Sequence, residues 1–274
     1  MPMQERGRPT TSSDGPGGVR TSTAPIFVVG CQRSGTTMVR LILDSHSRIS
    51  CGPETRFLED MQRIVGSDWK RLSQYGFTQE EWLRRIAAFF GGIQSDYAKG
   101  RGKERWADKS PRYAMNLDFI LRLFPDAQVV HVIRDGRDVA VSHRKRFGYW
   151  SCVKSSVKWP RYIAQVRAGG AALPERQYHE LRYESLVTDM EATLRALVDF
   201  LGEAWEPEML DFESHAHDVP DRYHAQASSR RAGAGTDAVA YTSRVGVYRR
   251  ELDPLMRLLF QLTARRTLHE LGYE

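Results

Sequence analysis

Cysteine is scarce in this chain: three among 274 residues (Cys31, Cys51, Cys152), with no Cys-x-x-Cys pair. That excludes a disulfide framework and the usual zinc spacings, and a reducing compartment, the cytoplasm, is the simpler setting. Long apolar runs are missing too, so no segment is expected to span a membrane. Residues 1–24 are rich in Ser, Thr, Gly and Pro and lack the apolar stretch of a signal peptide. They are expected to form a disordered tail ahead of one domain over residues 25–274. There is no internal repeat and no carboxylate cluster of the kind that holds a metal. His215, His217 and His224 share one stretch, where solvated or hydrogen-bonded histidines are a simpler reading than a metal site. A large excess of one charge is lacking as well. The formal net charge of +6 suits an anionic ligand without requiring one.

What is present is organised around residues 25–44, PIFVVGCQRSGTTMVRLILD. The apolar run over residues 26–29 stops at Gly30, a polar loop follows, and apolar residues return from Met38 to Leu43. Strand, tight loop and helix is the expected order. Such a turn directs backbone N–H groups and a helix N-terminus at one point, where a phosphate or sulfate can bind. The Gly30-x4-Gly35 spacing is that of a Walker A loop, but Thr36 stands where the lysine belongs. Arg33 supplies positive charge from inside the loop instead.

A short second strand is expected near Ile49, with Glu54 and Arg56 just past its end. Ligands in open parallel sheets gather at strand C-terminal ends, so both residues can face the crevice of the loop. An ordinary surface pair is the equal alternative. Residues 57–100 are expected to be helical. Ser110-Pro111 reads as an N-cap and first-turn proline, opening a helix to about Phe124 with Met115, Ile120 and Leu121 at core spacing. Lys109 would then precede a helix N-terminus, an unfavourable place for a cation. That fits an anionic partner as well as it fits a solvated lysine. Residues 127–133 form the clearest buried strand and lead into Arg134-Asp135-Gly136-Arg137, a second strand-to-helix turn. Arg134 falls at the strand end, and Ser142 and Arg146 share a helix face, four residues apart. A strand over 178–184, a helix over 185–201 closed at Gly202, a mobile lid-like loop over 214–243 and a helix over about 251–270 complete the chain.

Together these motifs resemble the PAPS-dependent sulfotransferases, and among them the tyrosylprotein sulfotransferase branch. PAPS, 3′-phosphoadenosine 5′-phosphosulfate, is the sulfuryl donor of that family. The likeness covers roughly residues 25–273. Gln32-Arg33-Ser34-Gly35-Thr36-Thr37 resembles the loop that binds the 5′-phosphosulfate, which implies cofactor contacts from Arg33, Ser34, Gly35, Thr36 and Thr37. Gly52-Pro53-Glu54-Thr55-Arg56 matches a stretch whose glutamate is the catalytic base, with Pro53 a departure. The match implies Glu54 as the base and Arg56 as an acceptor contact. Asp108-Lys109-Ser110-Pro111 matches the setting of the catalytic lysine. Arg134-Asp135-Gly136-Arg137, with Ser142 eight residues after its first arginine, matches the 3′-phosphate motif. Arg146, Tyr183 (in Tyr183-Glu184-Ser185-Leu186), Ser229 and Arg244 are further implied cofactor contacts. The implied fold is α/β, a P-loop-type three-layer arrangement with a central parallel sheet flanked by helices.

The implied reaction carries a sulfuryl group from PAPS to an acceptor hydroxyl, of a small molecule or a tyrosine, by in-line displacement that leaves PAP. Glu54 would take the hydroxyl proton, while Arg33, Lys109 and the loop amides balance charge, with no metal required. His46 is a rival base, although its place at the end of the first helix favours a structural role. Two other classes compete. A P-loop small-molecule kinase needs the loop lysine that Thr36 replaces. A non-catalytic anion or nucleic-acid binder should carry a basic stripe with interleaved aromatics, whereas the basic residues here gather at strand-to-helix turns. The expected partners are therefore PAPS and a hydroxyl-bearing acceptor, with no nucleic acid. A homodimer and the identity of the acceptor stay open.

Overall fold

Strand β1 (Ile26–Gly30) is fully buried, and its side chains divide between two cores. Ile26 and Val28 pack with residues of the helix that follows, whereas Phe27 and Val29 pack on the opposite face. That division follows from the two-residue period of a strand covered on both sides. A computed structural model describes residues 22–217 and 241–273. Nearly all of the tail expected over 1–24, and most of the loop expected over 214–243, lie outside the described residues. Four more strands, β2 (Ile49–Cys51), β3 (Arg105–Lys109), β4 (Gln128–Ile133) and β5 (Tyr178–Arg182), join β1 in the order β2-β3-β1-β4-β5. All neighbours run parallel, with Ile26 opposite Ala107 and Gly30 opposite Val132.

Among the described residues the α-helices are α1 (Thr36–Ser45), α2 (Phe57–Ser67), α3 (Trp69–Leu72), α4 (Gln79–Gly100), α5 (Leu117–Leu123), α6 (Gly136–Phe147), α7 (Tyr149–Gly170), α8 (Tyr183–Thr188), α9 (Met190–Leu201), α10 (Tyr248–Glu251) and α11 (Pro254–Glu270). Helices α1, α8 and α9 cover one face of the sheet, while α4, α5 and α7 cover the other. This is the three-layer fold that the resemblance implied. The chain leaves β1 toward one face and β3 toward the other, so a crevice opens at the C-terminal ends of these adjacent strands.

Several expectations change. Residues 105–109 had no assigned structure, yet they form β3, in the middle of the sheet. The helix expected from Ser110 to Phe124 is a 3-10 turn (Pro111–Met115) followed by α5, with the break at Asn116. Ser110 makes no cap bond, and Met115 is exposed instead of in the core. Residues 183–201 are two helices, because Asp189 interrupts the run and caps α9 through Ala192 N. Gly202 closes α9 in the left-handed conformation, as expected. Helix α11 begins later than expected, at Pro254, where Asp253 accepts from Met256 N.

Helix α7, 22 residues long, was not anticipated and contains Pro160. A proline cannot donate to the carbonyl four residues earlier, here that of Ser156. The Thr263 hydroxyl on α11 approaches that carbonyl at 3.1 Å, sharing its one hydrogen with the Leu259 carbonyl at 2.8 Å. Trp159 beside it donates from Nε1 to the Arg134 carbonyl at 2.9 Å. Gly136 makes this approach feasible, since a Cβ there would lie 2.4 Å from the Trp159 ring.

Candidate active site

The loop after β1 turns tightly: Ser34 N donates to the Cys31 carbonyl at 3.0 Å, and Gly35 opens α1 in the left-handed region (φ 102°). Tyr183 of α8 packs against it so closely that a Cβ on Gly35 would lie 2.5 Å from the ring. Met38 N donates to the Gly35 carbonyl at 2.9 Å, while the N–H groups of Thr36 and Thr37, which open α1, have no carbonyl inside the helix to reach. Arg33 is also left-handed (φ 77°), unusual for a residue with a side chain. Its Nε donates to Ser142 Oγ at 3.0 Å, which ties the loop to α6. Thr36 is buried at the helix start and Thr37 is exposed.

Arg134 follows β4 and lies over the Tyr183 ring, 4.3 Å from its centre. It donates to the carbonyls of Arg244 (2.7 Å) and Arg33 (3.4 Å), so three of the expected cofactor residues meet around one guanidinium. Asp138 holds the Arg244 segment from the other side by accepting from Gly246 N (2.8 Å) and Tyr248 N (2.9 Å). Arg137, the second arginine of its motif, folds back on Asp135 at 2.8 Å and stacks on Tyr248, and so serves the turn itself. Arg146 is exposed beside Phe147 and does not join this group. Ser229 lies outside the described residues.

Two buried polar atoms here have no hydrogen-bond partner among the described residues: Ser34 Oγ and Arg134 Nε. Groups of this kind are costly unless something pairs with them. Arginine forks, hydroxyls and a helix start form a donor set that fits a phosphate or sulfate.

Glu54 and Lys109 meet at the ends of β2 and β3, with Lys109 Nζ donating to Glu54 Oε2 at 2.6 Å. The lysine side chain is buried and the carboxylate is about one-third exposed (32%). Lys109 is therefore neither a solvated lysine nor a misplaced helix-start cation. It ends a buried strand and points at a carboxylate. Burial pushes the neighbouring Asp108 carboxyl up to about 6.

Glu54 lines a cleft of about 1340 Å³, together with Gln32, Arg56, His143, Trp150 and Lys158. Arg56 reaches this cleft with its guanidinium paired to Glu59 at 3.0 Å. His46 is elsewhere: fully buried, it contacts the Ala204 carbonyl through Nε2 (3.0 Å) and accepts from Arg48 N through Nδ1 (3.1 Å). His217 bonds to Asp44 and to the Phe212 carbonyl, while His224 lies outside the described residues. Among the described residues no group of three or more His, Cys, Asp or Glu could hold a metal, and no helix is long and apolar enough to cross a membrane. The three cysteines are free and buried.

Asp138 and His143 were missed from sequence. Asp138 sits inside the charged stretch after Arg134, and its partners come more than a hundred residues later. His143 directly follows the singled-out Ser142 but reads as part of a basic run.

A parallel sheet of this order, with a strand–loop–helix turn after β1 and the Glu54–Lys109 pair beside it, has the P-loop-type three-layer fold. A sequence model of the sulfotransferase family matches residues 25–207, and the chain belongs to that family. Its relatives include protein-tyrosine sulfotransferase A of Caenorhabditis elegans, 30% identical over 204 residues, which span 70% of this chain and 53% of that protein. A putative protein-tyrosine sulfotransferase of Caenorhabditis briggsae is 32% identical, over 71% of this chain and 69% of that protein. Protein-tyrosine sulfotransferase 1 of Danio rerio is 28% identical, over 69% of this chain and 56% of that protein. The aligned segment thus spans little more than half the length of two of these three curated relatives. Among solved structures, the sulfotransferase domain of the Synechococcus PCC 7002 olefin synthase matches with a TM-score of 0.66 at 21% identity, covering 94% of this chain and 98% of that one. A mouse sulfotransferase complexed with PAP matches with a TM-score of 0.53 at 14% identity, covering 92% of this chain and 90% of that one. At these identities the structural likeness concerns the fold.

Proposed function

We propose that this chain transfers a sulfuryl group from PAPS to an acceptor hydroxyl in the cleft, with Glu54 as general base. The observation that carries this reading is the Glu54–Lys109 contact of 2.6 Å beside the anion loop. It supports a reading in which a proton acceptor and a cation lie where acceptor and donor would meet. When bound, PAPS supplies the sulfuryl group and a phosphate leaving group. Arg33, Ser34, Gly35, Thr36 and Thr37 would hold its 5′ end, and Arg134 with Ser142 its 3′-phosphate. Tyr183 and Arg244 would complete the donor site. Lys109 spends one N–H on Glu54 and has two more for developing charge on oxygen. Glu54 would take the acceptor proton as the new S–O bond forms and the bond to phosphate breaks. A cleft of about 1340 Å³ has room for acceptors beyond a bare phenol. The relatives named as protein-tyrosine sulfotransferases support a tyrosine hydroxyl as one candidate, with small-molecule hydroxyls as the other. Thermal shift tests the donor. PAP should raise the melting temperature well above the effect of ATP–Mg²⁺. Equal stabilisation by both would favour a kinase instead. Product mass spectrometry over phenols, sugars, lipids and tyrosine peptides would then name the acceptor.

A further inference from the structure

His143 is a buried residue of the cleft, and the transfer just described makes no use of it. It follows Ser142 on α6, is 9% exposed, and its ring reaches two other segments. Nε2 donates to the Gln32 carbonyl of the donor loop at 3.2 Å. Nδ1 accepts from Ser151 Oγ, in the first turn of α7, at 2.9 Å. A carbonyl can only accept, so the tautomer with hydrogen on Nε2 satisfies both nitrogens. Burial lowers the pKa of the ring, the bond to the Gln32 carbonyl opposes this, and Arg33 and Lys158 add to the lowering.

The carbonyl that His143 holds belongs to the peptide entering Arg33. Arg33 sits at φ 77°, a conformation unfavourable for a residue with a Cβ. Such conformations persist where surrounding contacts over-determine them. Three contacts converge on this one. Ser142 accepts from its Nε at 3.0 Å, Arg134 donates to its carbonyl at 3.4 Å, and His143 fixes the carbonyl before it. Consecutive residues of α6 thus grip consecutive residues of the loop.

We propose that His143 is a positioning residue of the donor loop: its bond to the Gln32 carbonyl keeps Arg33 in the left-handed conformation that directs its guanidinium to Ser142 and to a bound 5′-phosphosulfate. The proposal rests on the reading of this loop as the donor site. It predicts an effect confined to the 5′ end of the ligand. Calorimetry with PAP and with adenosine 3′-phosphate, which lacks the 5′ group, separates the two ends. His143→Leu should weaken PAP binding about 3–10-fold and leave adenosine 3′-phosphate unchanged, the loss expected for one hydrogen bond. His143→Gln, whose amide N–H can reach the same carbonyl, should restore PAP affinity. Unchanged PAP affinity in His143→Leu, an equal loss for both ligands, or a His143→Gln variant as weak as His143→Leu would each overturn the proposal. If His143→Leu does not fold, Ser151→Ala decides. Freeing the ring on that side should lower PAP affinity alone, and unchanged PAP affinity would count against the proposal. A wild-type protein that binds no PAP would sink the donor reading itself, and this inference with it.

Discussion

The two ends of the sheet bury polar groups in opposite ways. At the N-terminal end, Arg105 of β3 is almost fully buried (1% exposed), and its donors are engaged. It bonds to the carbonyls of Ala24 (2.6 Å) and Leu201 (2.8 Å), to Glu203 (3.0 Å) and to the side-chain oxygen of Gln128. Gln128 passes its own amide on to the carbonyls of Arg176 (2.9 Å) and Phe200 (2.7 Å). At the C-terminal end, Ser34 Oγ, Ser110 Oγ and Arg134 Nε are buried without a hydrogen-bond partner among the described residues. One end is closed on itself and fastens α9 to the sheet. The other keeps donors and charge unspent, which folding alone would not favour but which an anionic ligand would use.

Three substitutions test that contrast, and the largest effect is expected at the open end. Glu54→Gln keeps the shape and removes the proton acceptor. Turnover should fall on the order of 10²–10⁴-fold in single-turnover assays with saturating PAPS, once an acceptor is found. PAP affinity should hardly change. Near wild-type transfer would remove Glu54 as the base and reopen the question of which group takes the proton.

Arg105→Ala breaks the closed end. It strands Glu203, although Arg48 still reaches that carboxylate at 3.0 Å. A loss of about 3–5 kcal/mol in urea unfolding is expected for breaking a buried pair, without a comparable loss of PAP affinity per folded molecule. A variant that unfolds normally but no longer binds PAP would erase the distinction between the two ends.

Asp108→Asn should act in the other direction. The folded-state pKa of this carboxyl is raised to about 6 by burial, from an ordinary value of 3.8. Its neutral form is therefore favoured in the fold, and stability is lost as pH rises from about 4 through 6. The asparagine variant should be more stable than wild type at pH 8, by up to about 3 kcal/mol, and the gain should vanish near pH 4. A pH-independent difference would mean that the carboxylate is not the source of the cost.

Legibility from sequence followed the same division. The loop after β1, the turn after β4 and the residues Glu54, Lys109, Arg134, Ser142 and Tyr183 could all be placed, because glycines, an apolar run and short local motifs mark them. The strand that carries Lys109 was missed, because β3 contains Arg105, Asp108 and Lys109 and does not read as an apolar strand. It is nonetheless buried throughout, since each charge finds a role that only the neighbouring strands and helices provide. Helix α7 was hidden for a similar reason. Its proline reads as a breaker, and the hydroxyl that approaches the freed Ser156 carbonyl lies 107 residues further along. His143 looked like one more member of a basic run, while its partner Gln32 lies 111 residues earlier.

That displaced hydroxyl also bears on how the protein is made. A ribosome delivers the chain from its N-terminus, at about 5–20 residues per second. Until Thr263 emerges, the Ser156 carbonyl in the long helix lacks the hydroxyl that approaches it at its proline break. Until Gly246 and Tyr248 emerge, Asp138 has no amides to hold. Nascent chains that already contain every strand should therefore lack a finished donor site.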